Sequence, residues 1–200
     1  MTSKRVLLLF CPGTEILEAA AFYDALGWSG AYRSVPIEVV TAAPESVVAC
    51  TFGMRVQVDC LLGEVNAEEF DALAIPGGFE TFGFYDAAYS APVQALITQF
   101  VNARKPIATI CVGALPLAKT GALRERQATT YNLRNGQRRQ QLAELGACVV
   151  DRPIVRDGVF ITSTSPATAL EVAFQLLGVL TGEANAQAVR ELMGFAVVPV

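Results

Sequence analysis

Histidine is absent from all 200 residues. That removes a large part of enzyme chemistry, because neither a Ser-His-Asp triad nor a Cys-His pair can be built from this chain in any fold. A zinc site that relies on imidazole is excluded with them, and no C-x-x-C pair occurs among Cys11, Cys50, Cys60, Cys111 and Cys148. No metal and no other cofactor is expected. The cysteines are odd in number and widely spaced, a reduced-compartment pattern rather than a disulfide framework.

Long runs of one character are missing too. With a formal net charge of −4 and no long basic stretch, the chain has no electrostatic footprint for nucleic acid or an anionic membrane. Arg134, Arg138 and Arg139 do cluster, but within one predicted helix with an acidic residue nearby, so they read as a solvated face. No apolar stretch reaches the roughly 18 residues of a membrane span, and the best candidate, residues 167–180, is interrupted by Glu171. Lys4 and Arg5 before an apolar run resemble the start of a signal peptide, but Pro12, Gly13 and Glu15 end the run early. A cytoplasmic protein without nucleic-acid or membrane partners is expected.

What is present suits a compact enzyme. At 52% hydrophobic and 17% charged, residues 1–200 are enough for one well-buried domain. Strand and helix patterns alternate. Residues 4–10, 37–42, 70–75 and 107–110 read as buried strands, and 15–26, 91–103, 133–145, 166–180 and 183–193 as helices. Residues 127–131 and 147–150 look like short strands, 47–50 with 54–58 a small hairpin, and 154–161 a hairpin on Asp157-Gly158. Alternation of this kind predicts an α/β sandwich, a mostly parallel sheet with helices on both faces.

The most informative stretch is residues 106–121, PIATICVGALPLAKTG. A short strand gives way to helical spacing with Cys111 at the join, and Gly113 and Ala114 permit a steep turn there. A thiol at a helix N-terminus faces unpaired N–H groups, which favour thiolate and lower its pKa from about 8.5. Cys111 is therefore a candidate nucleophile, set against the alternative of a small apolar packing residue. In parallel sheets functional groups gather at the carboxyl ends of strands, where the Pro12–Glu18 turn, the Pro76-Gly77-Gly78 turn and Cys111 all fall. Gly78 and Val112 could offer backbone N–H groups to a developing oxyanion, although a glycine pair also suits a turn that needs positive φ. Glu15 and Glu18 share a helix face, and either could reach over the sheet end.

Other residues have two readings each. Phe79, Phe82, Phe84 and Tyr85 could wall a cleft or pack at a dimer interface, and Trp28 covers a helix end. Ser165 with Thr164 could bind an anionic or carbonyl group or simply cap a helix.

The segments KRVLLLFCPGTEILEAAAFYDAL, DALAIPGGFE, ATICVGALPLAKTGAL, QATTY and VRDGVFITSTSPATALEVAFQLL together resemble the ThiJ/PfpI superfamily, the group of the parkinsonism-associated protein deglycase and its bacterial relatives. The resemblance implies a flavodoxin-like fold related to class I glutamine amidotransferases, usually as a homodimer. It makes Cys111 the elbow nucleophile, Gly78 and Val112 the backbone donors, and Glu18 the carboxylic acid beside the thiol. Gly77, Phe79, Tyr131, Asn132 and Ser165 become pocket candidates. Where many relatives carry a histidine after a T-T pair, this chain reads Thr129-Thr130-Tyr131-Asn132, which argues against peptidase or amidase chemistry.

Three functions remain compatible with a thiolate and one protonated acid. A glutathione-independent glyoxalase or deglycase acting on small reactive carbonyls fits best. An isonitrile hydratase is the second, but that branch usually has aspartate at the acid position and C-T-G after the strand, where this chain has Glu18 and Cys111-Val112-Gly113. The third is a non-turnover redox sensor or stress protein that uses oxidation of Cys111. A binding or chaperone-like dimer with an unused cysteine is the bland alternative.

Overall fold

The computed structural model describes residues 3–32 and 35–195. In chain order, β1 (Lys4–Leu9) leads into α1 (Ile16–Tyr32) and β2 (Ile37–Ala43), followed by β3 (Val47–Ala49), β4 (Arg55–Gln57) and β5 (Cys60–Leu61). Next come β6 (Ala72–Ile75), α2 (Phe84–Ala88), α3 (Ala91–Asn102), β7 (Ile107–Thr109) and α4 (Ala114–Lys119). The chain continues through β8 (Gln127–Ala128), α5 (Gln137–Glu144), β9 (Cys148–Val149), β10 (Ile154–Asp157), β11 (Phe160–Ser163), α6 (Ala169–Thr181) and α7 (Glu183–Leu192).

The main sheet has seven strands in the order β10-β11-β7-β6-β1-β2-β5. All its pairings are parallel except β10 with β11, which fold back on the predicted Asp157-Gly158 turn. In β1 every residue from Val6 to Leu9 is buried, and successive side chains point to opposite faces, so both faces of the sheet are covered. One helix group, α1, α6 and α7, packs on itself and on the sheet through α1 and α6, while α4 packs between α3 and α5. Fully buried Phe22, Phe84 and Phe100 anchor these layers, each burial contributing about 1.5–3 kcal/mol. This is the expected mostly parallel α/β architecture.

From β1 the chain crosses to β2 on one side, and β6 and β7 later build the other side. The strand order reverses beside β1, which opens a crevice at the carboxyl ends of β1, β6, β7 and β11. The Cys111 turn, the Gly77-Gly78 turn, the entry to α1 and Ser165 are all in loops that leave those strand ends.

Several expected boundaries differ. α1 runs past Gly27 to Tyr32, because a glycine costs a helix only about 1 kcal/mol and tertiary contacts offset it. Ser29 is fully buried, donates to the Val35 carbonyl at 2.7 Å and accepts from Asn185 Nδ2 at 2.9 Å. Trp28 therefore sits inside the helix rather than over its end. The expected helix 133–145 starts only at Gln137, since Arg134, Asn135 and Gly136 are all left-handed, with φ of 53°, 65° and 68°. The strand expected over 127–131 stops at Ala128, after which threonine side chains take over the bonding. Pro166–Thr168 form a 3-10 turn ahead of α6.

Candidate active site

Cys111 adopts φ +54°, a left-handed conformation that costs a non-glycine residue on the order of 1–3 kcal/mol. The surroundings hold it there. Gly113 N donates to the Ile110 carbonyl at 2.8 Å, and the buried Thr130 hydroxyl donates to the Cys111 carbonyl at 2.8 Å. A Cβ on Gly113 would lie 2.4 Å from the Ile75 carbonyl oxygen, so the elbow fits under the end of β6 only with glycine at that position.

Gly77 and Gly78 are needed for close approach, and neither has positive φ. A Cβ on Gly77 would come within 3.0 Å of Glu18 Oε2, the Ile110 carbonyl and Val112 N, while one on Gly78 would be 2.3 Å from Phe84 and 2.4 Å from the Gly13 carbonyl. Glu15 N donates to the Gly77 carbonyl at 2.9 Å and Phe79 N to the Gly13 carbonyl at 3.0 Å, with Thr14 and Gly78 directly opposed. In an antiparallel bridge of that kind the opposed pair exchanges no hydrogen bonds. The Gly78 N–H consequently points away from Thr14, on a residue that lines the cavity over Cys111.

Glu18 comes from the first turn of α1 and is fully buried. Its Oε2 accepts the Gly77 N–H at 2.6 Å, and Oε1 is buried without a hydrogen-bond partner. Burial pushes its pKa up to about 8, against the opposing effect of the Gly77 bond, so the carboxyl is protonated at neutral pH.

Cys111 is 9% exposed. Burial pushes its thiol up, the Glu18 carboxyl pushes it further, and the Val112 N–H hydrogen bond opposes both. This corrects the expectation of a depressed thiol pKa. The helix behind Cys111 is the six-residue α4, preceded by a 3-10 turn, and desolvation outweighs so short a dipole. The two groups titrate as a pair, and a neutral Glu18 removes the like-charge opposition to thiolate.

A cavity of about 480 Å³ lies over these groups, lined by Glu15, Glu18, Gly78, Cys111 and Val112. Phe79, Tyr131 and Ser165 also line it, whereas Gly77, bonded to Glu18, and Asn132 lie outside the lining. Of the four aromatics considered together, Phe79 and Tyr85 line the cavity. Phe82 stays exposed against Phe52 and Phe79, and Phe84 is buried in the core.

Sequence reasoning missed one side of the site. Arg134 and Arg138 line the cavity instead of forming a solvated face, and Arg139 alone of the three points elsewhere, to Asp151. The Arg138 guanidinium pairs with Glu80 at 2.6 Å and lies 4.7 Å from the Tyr85 ring centroid. The Tyr85 hydroxyl is buried without a hydrogen-bond partner. The one signal that could have found these residues was Asn135-Gly136, a pair suited to left-handed backbone inside the supposed helix.

Among the described residues, no three Cys, Asp or Glu side chains converge as metal ligands. No helix of those residues is long and apolar enough to cross a membrane.

A family model for the DJ-1/PfpI family matches residues 4–178. The chain belongs to the DJ-1/PfpI family. Protein dj-1beta of Drosophila melanogaster is 29% identical over 187 residues, which is 94% of this chain and 95% of that protein. Its crystal structure aligns with a TM-score of 0.85, covering 98% of this chain and 100% of that one. A deglycase of Pyrococcus abyssi is 31% identical over 163 residues, 81% of this chain and 90% of that one. Two longer Arabidopsis thaliana homologues are matched over less than half their length, at 40% and 46%. The elbow and sheet described above are thus a DJ-1/PfpI fold in a chain without histidine.

Proposed function

We propose that this DJ-1/PfpI protein acts on small reactive carbonyls without glutathione, in a glyoxalase- or deglycase-like reaction. Cys111 is the nucleophile and Glu18 the proton carrier. The observation that carries the reading is a fully buried carboxyl, its pKa pushed up by burial, beside a nucleophile elbow in one cavity of a chain without histidine. Relatives named as deglycases support the substrate class.

With methylglyoxal, the Cys111 thiol releases its proton to water, the thiolate sulfur bonds to the aldehyde carbon, and Glu18 gives its own proton to the carbonyl oxygen. The Gly78 and Val112 N–H groups would face that oxygen. Glu18, now carboxylate, removes the proton from the former aldehyde carbon and delivers it to the neighbouring carbon, while the hydroxyl proton passes from the first oxygen to the second. A thioester results, and water cleaves it to give lactate and restore the thiol. Overall one water is added, one carbon is oxidised as its neighbour is reduced, and no outside redox partner is consumed.

Burial of Cys111 weighs against the oxidation-sensor reading, since easily oxidised thiols are exposed and of low pKa. All five cysteines are free, which suits a reducing cytoplasm. Exposed Leu17, Phe52 and Met54 would suit a homodimer interface.

The test is loss of methylglyoxal and appearance of lactate without glutathione, in wild type, Cys111→Ser and Glu18→Gln. Turnover in wild type, abolished in Cys111→Ser and reduced about 10²- to 10⁴-fold in Glu18→Gln, is expected. Absence of wild-type turnover, or undiminished turnover in Cys111→Ser, overturns the reading.

A further inference from the structure

The cavity over Cys111 is larger than methylglyoxal requires. Buried Cys111 and Glu18 line it together with exposed Arg134 and half-buried Arg138. The same two arginines also line an adjoining cavity of about 330 Å³, together with Asn135 and Gln137. The two spaces share Glu80, Tyr131 and Leu133 as well, so a substrate that reaches Cys111 can extend a polar tail between the arginines.

The arginines differ in state. Arg138 is fixed by Glu80, by Gln141 Oε1 at 3.0 Å and by the Tyr85 ring, with a side chain only 16% exposed. Arg134 is exposed and has no ion-pair partner among the described residues. Arg134 is therefore the cavity guanidinium left free to meet a ligand. Two acidic side chains, Glu15 and Glu80, also line the main cavity, which suits a ligand group with one negative charge better than a dianionic phosphate. The planar guanidinium fork matches a carboxylate in two parallel hydrogen bonds.

We infer that the site is built for a reactive α-oxoaldehyde bearing a carboxylate a few carbons from the aldehyde, the carboxylate bound by Arg134 against the fixed wall of Arg138. The inference rests on the reading of Cys111 and Glu18 above, and it adds a specificity subsite contributed by the turn into α5. A suitable probe is 4,5-dioxopentanoate. Adding one water oxidises its aldehyde carbon to a carboxylate and reduces the adjacent ketone carbon to a carbinol, which gives 2-hydroxyglutarate and one proton.

The experiment compares kcat/KM for 4,5-dioxopentanoate and for uncharged 2-oxohexanal in wild type, Arg134→Gln and Arg134→Lys. Wild type is expected to prefer the charged substrate by about 10- to 100-fold, the range of one charge-assisted hydrogen-bonded contact. Arg134→Gln should erase that preference through KM, and Arg134→Lys should restore part of it. A wild-type ratio near one, or a ratio that Arg134→Gln leaves in place, overturns the inference while leaving the cysteine mechanism intact. If wild type turns over neither substrate, the mechanism fails, and calorimetric binding of 2-hydroxyglutarate to Cys111→Ser decides the subsite by itself. Binding that Arg134→Gln weakens about 10-fold or more supports the subsite, and no binding overturns it.

Discussion

The Gly77 amide donates a 2.6 Å hydrogen bond to Glu18 Oε2, joining the turn after β6 to the first turn of α1 across 59 positions of sequence. One carboxyl oxygen is thereby fixed to the backbone, and the carboxyl lies within interaction range of the Cys111 thiol. The same contact explains why residue 77 is glycine, since a Cβ there would lie 3.0 Å from that oxygen.

The buried acid makes stability depend on pH with a definite sign. A glutamate titrates near 4.3 in an unfolded chain, and burial raises Glu18 to about 8 in the fold. Between those values the folded state holds the extra proton, so stability falls as pH rises through that window, by roughly 1.4 kcal/mol for each unit crossed, and levels off above about pH 8. Denaturant titrations of wild type and Glu18→Gln from pH 4 to 9 should show a difference in ΔG that changes across this window. A pH-independent difference contradicts the buried, protonated acid.

Thiol reactivity should follow the same coupling. Cys148 is exposed and Cys111 is buried with its thiol pushed up, so iodoacetamide at neutral pH should label Cys148 first. Above about pH 8, where Glu18 ionises, replacing it by glutamine removes the charge that opposes the thiolate and should move the Cys111 labelling profile to lower pH. Peptide mass spectrometry across a pH series reads both effects, and superimposable Cys111 profiles would count against the coupling.

Two glycines should respond in opposite directions. Gly113→Ala forces a methyl group to 2.4 Å from the Ile75 carbonyl and should cost about 2 kcal/mol or more, or prevent folding. Gly27→Ala, inside α1 with nothing within 4 Å of the added Cβ, should stabilise by about 0.5–1 kcal/mol. Thermal melts of the two variants test the pair. A destabilised Gly27→Ala would mean that α1 does not continue as described.

The strain at Cys111 predicts a positioning role for Thr130. Thr130→Val keeps the volume but leaves the buried Cys111 carbonyl without its donor, costing about 1–3 kcal/mol. Relaxation of the φ of +54° should also lower kcat more than it raises KM. Rescue of kcat by Thr130→Ser, which restores the hydroxyl, separates positioning from general loss of stability.

Much of the architecture could be read from local pattern. β6 and the Val6–Leu9 part of β1 are continuous apolar runs because they are buried on both faces, and the Asp157-Gly158 hairpin was evident from its turn residues. Errors fell where tertiary contact overrode propensity. α1 passes Gly27 because Ser29 is held by Val35 and Asn185, and α5 begins late because three left-handed residues precede it.

The sequence alone determined the fold class and singled out the strand-to-helix turn at Cys111, and by lacking histidine it removed the commonest partner for a cysteine. These follow from chain-local facts: side-chain periodicity, small residues at a turn, and the composition itself. Only the tertiary structure decided the protonation of Glu18, the upward shift of the Cys111 thiol and the presence of Arg134 and Arg138 at the cavity. Desolvation and charge proximity are sums over neighbours brought together from distant parts of the chain, and no local pattern contains them.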